Sequence, residues 1–359
     1  MEIDLLSVLE KAVEAEASDI FLIAGHPVAF KINDVVVPVS DNALRGYRLR
    51  PDDTKKLIEK IYLLGKGREM RRFLETGDDD FSFSVEKLGR FRCNAYFQRG
   101  TMASVLRLVS FRMPNPAELN IPDSVVNLNL VKKGLVLLTG SAGSGKSTTL
   151  ACIIDKINQT RRCHIITIED PIEFLHKHGK SIVSQREVPN DSRDYVHALR
   201  AALRQAPDVI LLGEMRDYET IATAMTAAET GQLVLSTLHT IGAANTVDRI
   251  IDVFPPSQQQ QIRVQLSMVL QAVVSQQLVP AQDGKLVPAF EIMIVNPAIR
   301  NMIRECKVHQ IDNAIFSGAG EGMISMDSDL LRLYSQGVIS RENALLHAVN
   351  PENLAKRMK

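Results

Sequence analysis

The sequence is poor in cysteine and has no long apolar run. Its 359 residues include four cysteines, Cys93, Cys152, Cys163 and Cys306, which stand far apart with no C-x-x-C pair. That spacing speaks against a zinc site and a disulfide-stapled secreted scaffold, and fits reduced thiols in the cytoplasm. No stretch approaches the roughly 18 apolar residues of a membrane span. The opening MEIDLLSVLEKAVEAEASD carries acids through an amphipathic pattern, without the basic start and apolar core of a secretory signal. Direct membrane insertion is therefore not expected, and any membrane role passes through a partner. Neither sign of charge is in excess: 42 Lys and Arg balance 42 Asp and Glu. No net field draws the whole molecule to nucleic acid or anionic lipid, so nucleic acid is a disfavoured partner. Internal repeats are absent, and the run 258–261 of glutamines is too short to count as low complexity.

What is present, 45% hydrophobic and 23% charged residues, suits a soluble globular protein of about two domains. Residues 1–111 mix a helix, in which Leu5, Leu6, Leu9 and Val13 recur at helical spacing, with strand-like segments at 80–85, 91–97 and 103–109. A small α/β domain is expected there. Pro114, Pro116 and Pro122 then punctuate a stretch of weak periodicity, so 112–123 reads as a linker. From 124 to 359 the rhythm changes. Apolar strands at 135–139, 165–168, 209–212 and 233–237 alternate with helical segments from about 146, near 195–205 and at 217–229. Short unbroken apolar strands between helices predict a mostly parallel sheet covered on both faces. The region from about 288 to 359 reads as mainly helical.

The strongest chemical signal is Gly140-Ser141-Ala142-Gly143-Ser144-Gly145-Lys146-Ser147, followed by Thr148. It matches G-x-x-x-x-G-K-[ST] between the strand GLVLLT and a helical segment, as a phosphate-binding loop requires. Backbone N–H groups would curl around the phosphates of ATP, Lys146 would reach the β- and γ-phosphates, and the Ser147 hydroxyl would ligate magnesium. A second apolar strand runs from Asp208 into Gly213-Glu214 and would deliver a carboxylate to the same Mg2+. A third, HIITI, opens into Glu169-Asp170-Pro171-Ile172-Glu173. In a parallel sheet it brings three carboxylates to the edge that carries the loop, any one of which could activate water; a helix cap is the plainer role. A fourth strand ends in Thr237, His239 and Thr240, where a switch residue could sense the γ-phosphate. Arg90 and Arg92 alternate with Phe91 and Cys93, with Arg99 and Arg107 nearby. Such a face is either solvated or a basic patch serving a neighbouring subunit's nucleotide.

The order of these segments resembles the secretion ATPases that power type IV pili and type II secretion. IEDPIEF at 168–174, LLGEMRD at 211–217 and STLHT at 236–240 are similar to that family's Asp box, Walker B motif and His box, downstream of its Walker A loop. SDIFLIAG, RFRCNAYFQRG, SQREV and DRIIDVFP extend the likeness over nearly the whole chain. AIRNMIRE at 298–305 is similar to the signature of the retraction branch, where it serves retraction and not nucleotide binding, and the tetracysteine motif of extension relatives is absent.

The resemblance implies an α/β chain with a RecA-like P-loop ATPase domain, preceded by a smaller PAS-like domain. It implies Glu173 as the catalytic glutamate, Glu214 as the Walker B acid, and Arg90, Arg92, Arg99 and Arg107 among arginines that reach nucleotide across a subunit boundary. A homohexamer is implied, cytoplasmic and peripheral at the inner membrane, acting on a platform protein of the pilus machinery. The family usually has histidine where this chain has Gln232, so a different sensing arrangement is expected there. A RecA-like nucleic-acid motor and a silent adaptor ring are the alternatives; DNA-stimulated, salt-sensitive turnover would mark the first and absence of phosphate release the second.

Overall fold

A computed structural model of the chain describes residues 3–32, 35–39, 46–65, 68–109 and 113–358. They form two compact units, Met1–Arg112 with Glu173–Leu175, and Met113–Ile172 with His176–Lys359. The expected boundary at 111 and the first linker residue, Arg112, lie outside the described residues. Residues 113–122 contain turns but no regular element, and Asp123 already begins a short helix.

Among the described residues, the first unit is a six-stranded antiparallel sheet with three helices. Its strands are β1 (Asp19–Leu22), β2 (Ala29–Ile32), β3 (Val35–Pro38), β4 (Asp78–Val85), β5 (Gly89–Gln98) and β6 (Thr101–Val109), in the order β3-β2-β1-β6-β5-β4. The helix Leu5–Glu14 starts where the Asp4 side chain accepts from Leu6 N, satisfying one of the donors a helix leaves open at its start. Its inward stripe is Leu5, Val8, Leu9 and Ala12, whereas Leu6, counted in the apolar stripe from sequence, is exposed. Leu6 and Leu9 sit three apart, but the buried set centres on the face of Leu5 and Ala12. Strand β5 alternates as expected, with Phe91, Cys93 and Ala95 buried and Arg90, Arg92, Asn94 and Tyr96 on the other face.

One buried charge organises this core. The Asp79 carboxylate, 0% exposed, accepts from Arg68 Nε at 2.8 Å and from the Tyr62 hydroxyl at 2.8 Å. Burial alone would raise its pKa, but Arg68 and Tyr62 outweigh that and hold the carboxyl below the usual range. A depressed folded pKa gives stability that is complete above the unfolded value of about 3.9 and is lost as pH falls through the folded one. We expect Asp79→Ala to cost about 3 kcal/mol, because it strands a half-buried guanidinium. Its thermal midpoint would then vary less between pH 5 and pH 3 than the wild type's; an equal acid response in both would assign the acid sensitivity to other groups.

The second unit carries β7 (Gly134–Thr139), β8 (His164–Glu169), β9 (Ile182–Glu187), β10 (Val209–Leu212), β11 (Leu233–Leu238), β12 (Leu270–Pro280) and β13 (Leu286–Ile294). Their order is β13-β12-β7-β11-β10-β8-β9, and every neighbouring pair is parallel except β12 with β13. This is a RecA-like α/β sheet with helices on its faces. Strands β7, β10 and β11 are buried at every residue, which is why they appear in sequence as unbroken apolar runs. Asp194 and Asp217 cap the helices Tyr195–Ala202 and Tyr218–Glu229 by accepting from His197 N and Thr220 N.

The helical region expected from about 288 is corrected here. Residues 288–294 belong to β13, and the helices begin with Pro297–Arg304 and continue to Pro351–Arg357. The segment VPAFEIMI is buried along almost its whole length, and a continuous apolar run has no period by which to tell strand from helix. Pro288 is tolerated because β13 is an edge strand. Within the helix Pro297–Arg304, Arg300 Nη1 donates to Ser267 O at 2.6 Å and Met268 O at 2.9 Å. These are carbonyls at the end of the helix Pro256–Val269, immediately before β12. No helix among the described residues is long and apolar enough to cross a membrane.

Candidate active site

The loop 140–145 links β7 to the helix Lys146–Thr160. Its turns need glycine at two places where space as well as dihedral angle decides. Gly140 has φ 142° and a Cβ there would stand 2.2 Å from Gln276 O; Gly145 has φ 85° and its Cβ would stand 2.8 Å from Gln276 Nε2. Any side chain would push the loop off β12. Lys146 is 7% exposed, and its Nζ donates to Gly140 O at 2.9 Å and Ser141 O at 2.7 Å. The ammonium is thus held against the loop whose N–H groups would face phosphate. Ser141, Ala142, Gly143 and Ser147 are exposed, Thr148 is partly so, and Ser144 is buried.

Parallel pairing brings the carboxyl ends of four strands to one edge. Thr139 of β7 pairs with Leu238 of β11, Leu212 of β10 with Ser236, and Ile168 of β8 with Leu212. Gly140, Glu169, Asp170, Glu214 and His239 follow those ends, at the edge where parallel sheets bind ligands. Glu214, 12% exposed, lies 2.6 Å from Arg216 Nη2 and 3.4 Å from His239 Nε2. The strand tip is fixed from below: Gly213 N donates to Ile168 O at 2.8 Å and Thr237 Oγ1 to Gly213 O at 2.6 Å. Burial, then the Glu214 carboxylate, pushes the nearby Tyr195 phenol well above its ordinary pKa, so it stays neutral. Arg216 lies inside the quoted LLGEMRD segment but was not singled out there, and Tyr195 belongs to no quoted motif.

Two acids are structural. Asp208 lies at the opposite end of β10 and accepts from His164 N at 2.8 Å. Glu187, 2% exposed, accepts from Ile172 N at 3.1 Å and thereby fixes the turn after the cis Asp170–Pro171 peptide. Glu169 accepts from Gln185 Nε2 at 3.3 Å, while Glu173 is exposed and groups with the first unit. Gln232 precedes β11 and accepts from Thr230 Oγ1 at 2.8 Å. The six residues of β11 separate it from His239, a span of about 20 Å at 3.3 Å per residue. The substitution at 232 therefore lies away from this edge of its own subunit.

In the first unit, Arg92 and Arg107 face each other across β5 and β6. Arg92 lies 3.4 Å from Asp80 and Arg107 lies 2.9 Å from Asp19. Arg90 shares that face, its Nη1 donating to Ser84 Oγ at 3.4 Å, and Arg99 is exposed in the β5–β6 turn. Facing guanidiniums repel, and each of this pair has a carboxylate beside it.

No group of three or more His, Cys, Asp or Glu among the described residues could hold a metal ion. Magnesium is usually bound by one or two protein oxygens with substrate phosphates and water, and the Ser147 hydroxyl and Glu214 carboxylate are hard oxygen donors that would suit it.

Comparison with known proteins finds relatives over nearly the whole chain. The family described as Type II/IV secretion system protein matches residues 1–319. The Pseudomonas aeruginosa protein named Type IV pilus retractation ATPase PilT is 45% identical, over 98% of this chain and 99% of its own. The Type IV pilus ATPase PilU of the same organism is 40% identical over 98% and 90%. A crystal structure described as the pilus retraction motor PilT with bound ADP superimposes with a TM-score of 0.89 at 46% identity, over 99% of this chain and 100% of that one. With the loop, the acids and the sheet edge in place, the chain belongs to the type II/IV secretion system protein family.

Proposed function

We propose that this chain is an ATP-hydrolysing motor that retracts type IV pili. The observation that carries the reading is the sheet edge where the Lys146 loop follows β7 and Glu214 follows β10, parallel strands with β11 between them, in a chain matched over 98% of its length by a pilus retraction ATPase. In this reading the loop N–H groups and Lys146 grip the β- and γ-phosphates, and Thr148 follows on the first helical turn. Ser147 and Glu214 hold magnesium, which neutralises charge on the phosphates when bound. Glu173 orients the attacking water, and His239, beside Glu214, responds to the state of the nucleotide. Phosphoryl transfer needs mainly positioning and charge neutralisation. One or more of Arg90, Arg92, Arg99 and Arg107 reaches the nucleotide of a neighbour in a homohexameric ring, and trans arginines are worth about 10³ to 10⁵ in rate in related P-loop systems. The ring works on an inner-membrane platform of the pilus machinery from the cytoplasm.

Deleting the gene and watching fluorescently labelled pili tests the direction of work. Filaments that persist without shortening are the expected result. Loss of all filaments would make the motor one of extension.

A further inference from the structure

Gln276 stands in the middle of β12, 3% exposed, with 130 residues between it and the end of the loop it touches. Its Oε1 accepts from Thr149 Oγ1 at 2.8 Å, and Thr149 is fully buried on the helix that follows the loop. Its Nε2 and its main-chain oxygen are the atoms that a Cβ on Gly145 or on Gly140 would strike. One residue of a neighbouring strand therefore meets the loop at its first and last glycines and the helix at its first turn. Within the loop, Ser144 N donates to Ser141 O at 3.3 Å, but the Ser144 hydroxyl is buried without a hydrogen bond among the described residues, so that side chain adds no bond to hold the loop on β12. A leucine or methionine would fill this core position with no amide to satisfy, and burying an amide is unfavourable unless its bonds are made. The polar choice is therefore specific to what it bonds.

We propose that Gln276 is a positioning residue for nucleotide binding: its amide ties the start of the helix Lys146–Thr160 to β12 and so holds the loop at the spacing phosphate requires. The proposal rests on the nucleotide-binding reading above and adds to it a residue outside every motif that reading uses. Gln276 acts through Thr149 and the loop, not by touching the reacting atoms.

The test compares Gln276→Met, Thr149→Val and the double variant by thermal melting, by titration with a fluorescent ADP analogue and by KM for ATP. Each single change leaves one buried polar group without its partner, so both melt lower than wild type. Each also binds nucleotide roughly 3- to 30-fold more weakly, the scale of one or two lost hydrogen bonds. Replacing both partners by apolar groups of similar shape can be nearly neutral for stability. The double variant should therefore melt near the wild type yet keep the weakened affinity and raised KM. A double variant that regains affinity together with melting temperature would make the pair ordinary core packing and overturn the proposal. Single variants that bind as the wild type does would overturn it too, leaving the nucleotide-binding reading intact. A wild-type chain with no saturable binding would overturn both.

Discussion

Lys146→Ala abolishes ATP hydrolysis, with a fall of at least about a hundredfold, the scale of losing one preorganised electrostatic contact to the transition state. The chain stays folded. Lys146 donates to Gly140 O and Ser141 O within its own loop, and losing bonds of that kind costs about 1 kcal/mol of stability. The side chain is held within its loop by those carbonyls, and phosphate oxygens are stronger, charged acceptors for the same ammonium. Phosphate release and thermal melting on the same preparation separate the two effects. Normal turnover in this variant would remove the loop from the mechanism.

Glu173→Gln retains ATP binding and loses hydrolysis by about 10² to 10⁴, the usual worth of a positioned general base. The amide keeps size and polarity but cannot take a proton. Among the three carboxylates at and beyond the end of β8, Glu169 already accepts from Gln185, whereas Glu173 is exposed. A wild-type rate in the variant would transfer the role to Glu169 or Asp170. Mixing Glu173→Gln subunits with Arg92→Ala subunits carries the experiment further. Interfaces that pair an intact glutamate with an intact arginine regain turnover if sites are shared. Failure of all four arginines to complement in this way would make each site self-contained.

The strand, loop and helix around Lys146 and the place of Glu214 after β10 were legible in the sequence because each follows a short apolar run that ends in glycine. The parallel sheet was legible because β7, β10 and β11 are buried on both faces and show as apolar runs. Asp208 was read as the start of its strand and Glu214 as its end, and the direction of the strand decides which of the two stands at the edge with the loop. Glu214 follows the carboxyl end of β10, and Asp208 precedes its amino end. β13 was misread because an apolar run buried along its length has no alternation to read. Gln276 was illegible because its partners lie on a loop and helix distant in sequence, and the sequence pattern near it, VVSQQLV, differs little from an ordinary strand with polar residues. Gln232 and His239 share one box of sequence but stand at opposite ends of β11, a separation that the spacing alone does not show.

Arg300 gives the AIRNMIRE segment a mechanical character. Its guanidinium fastens that helix to the last carbonyls of the helix Pro256–Val269, where the chain turns directly into β12. Six residues further along β12 the same strand meets the nucleotide loop through Gln276. The retraction signature is thus anchored to the strand that underlies the engine, and it is not a detachable surface tag. A defect caused by altering Arg300 would consequently have two separable origins, a lost foothold for another protein or a slackened rod inside this one, and the nucleotide affinity of the altered chain tells them apart.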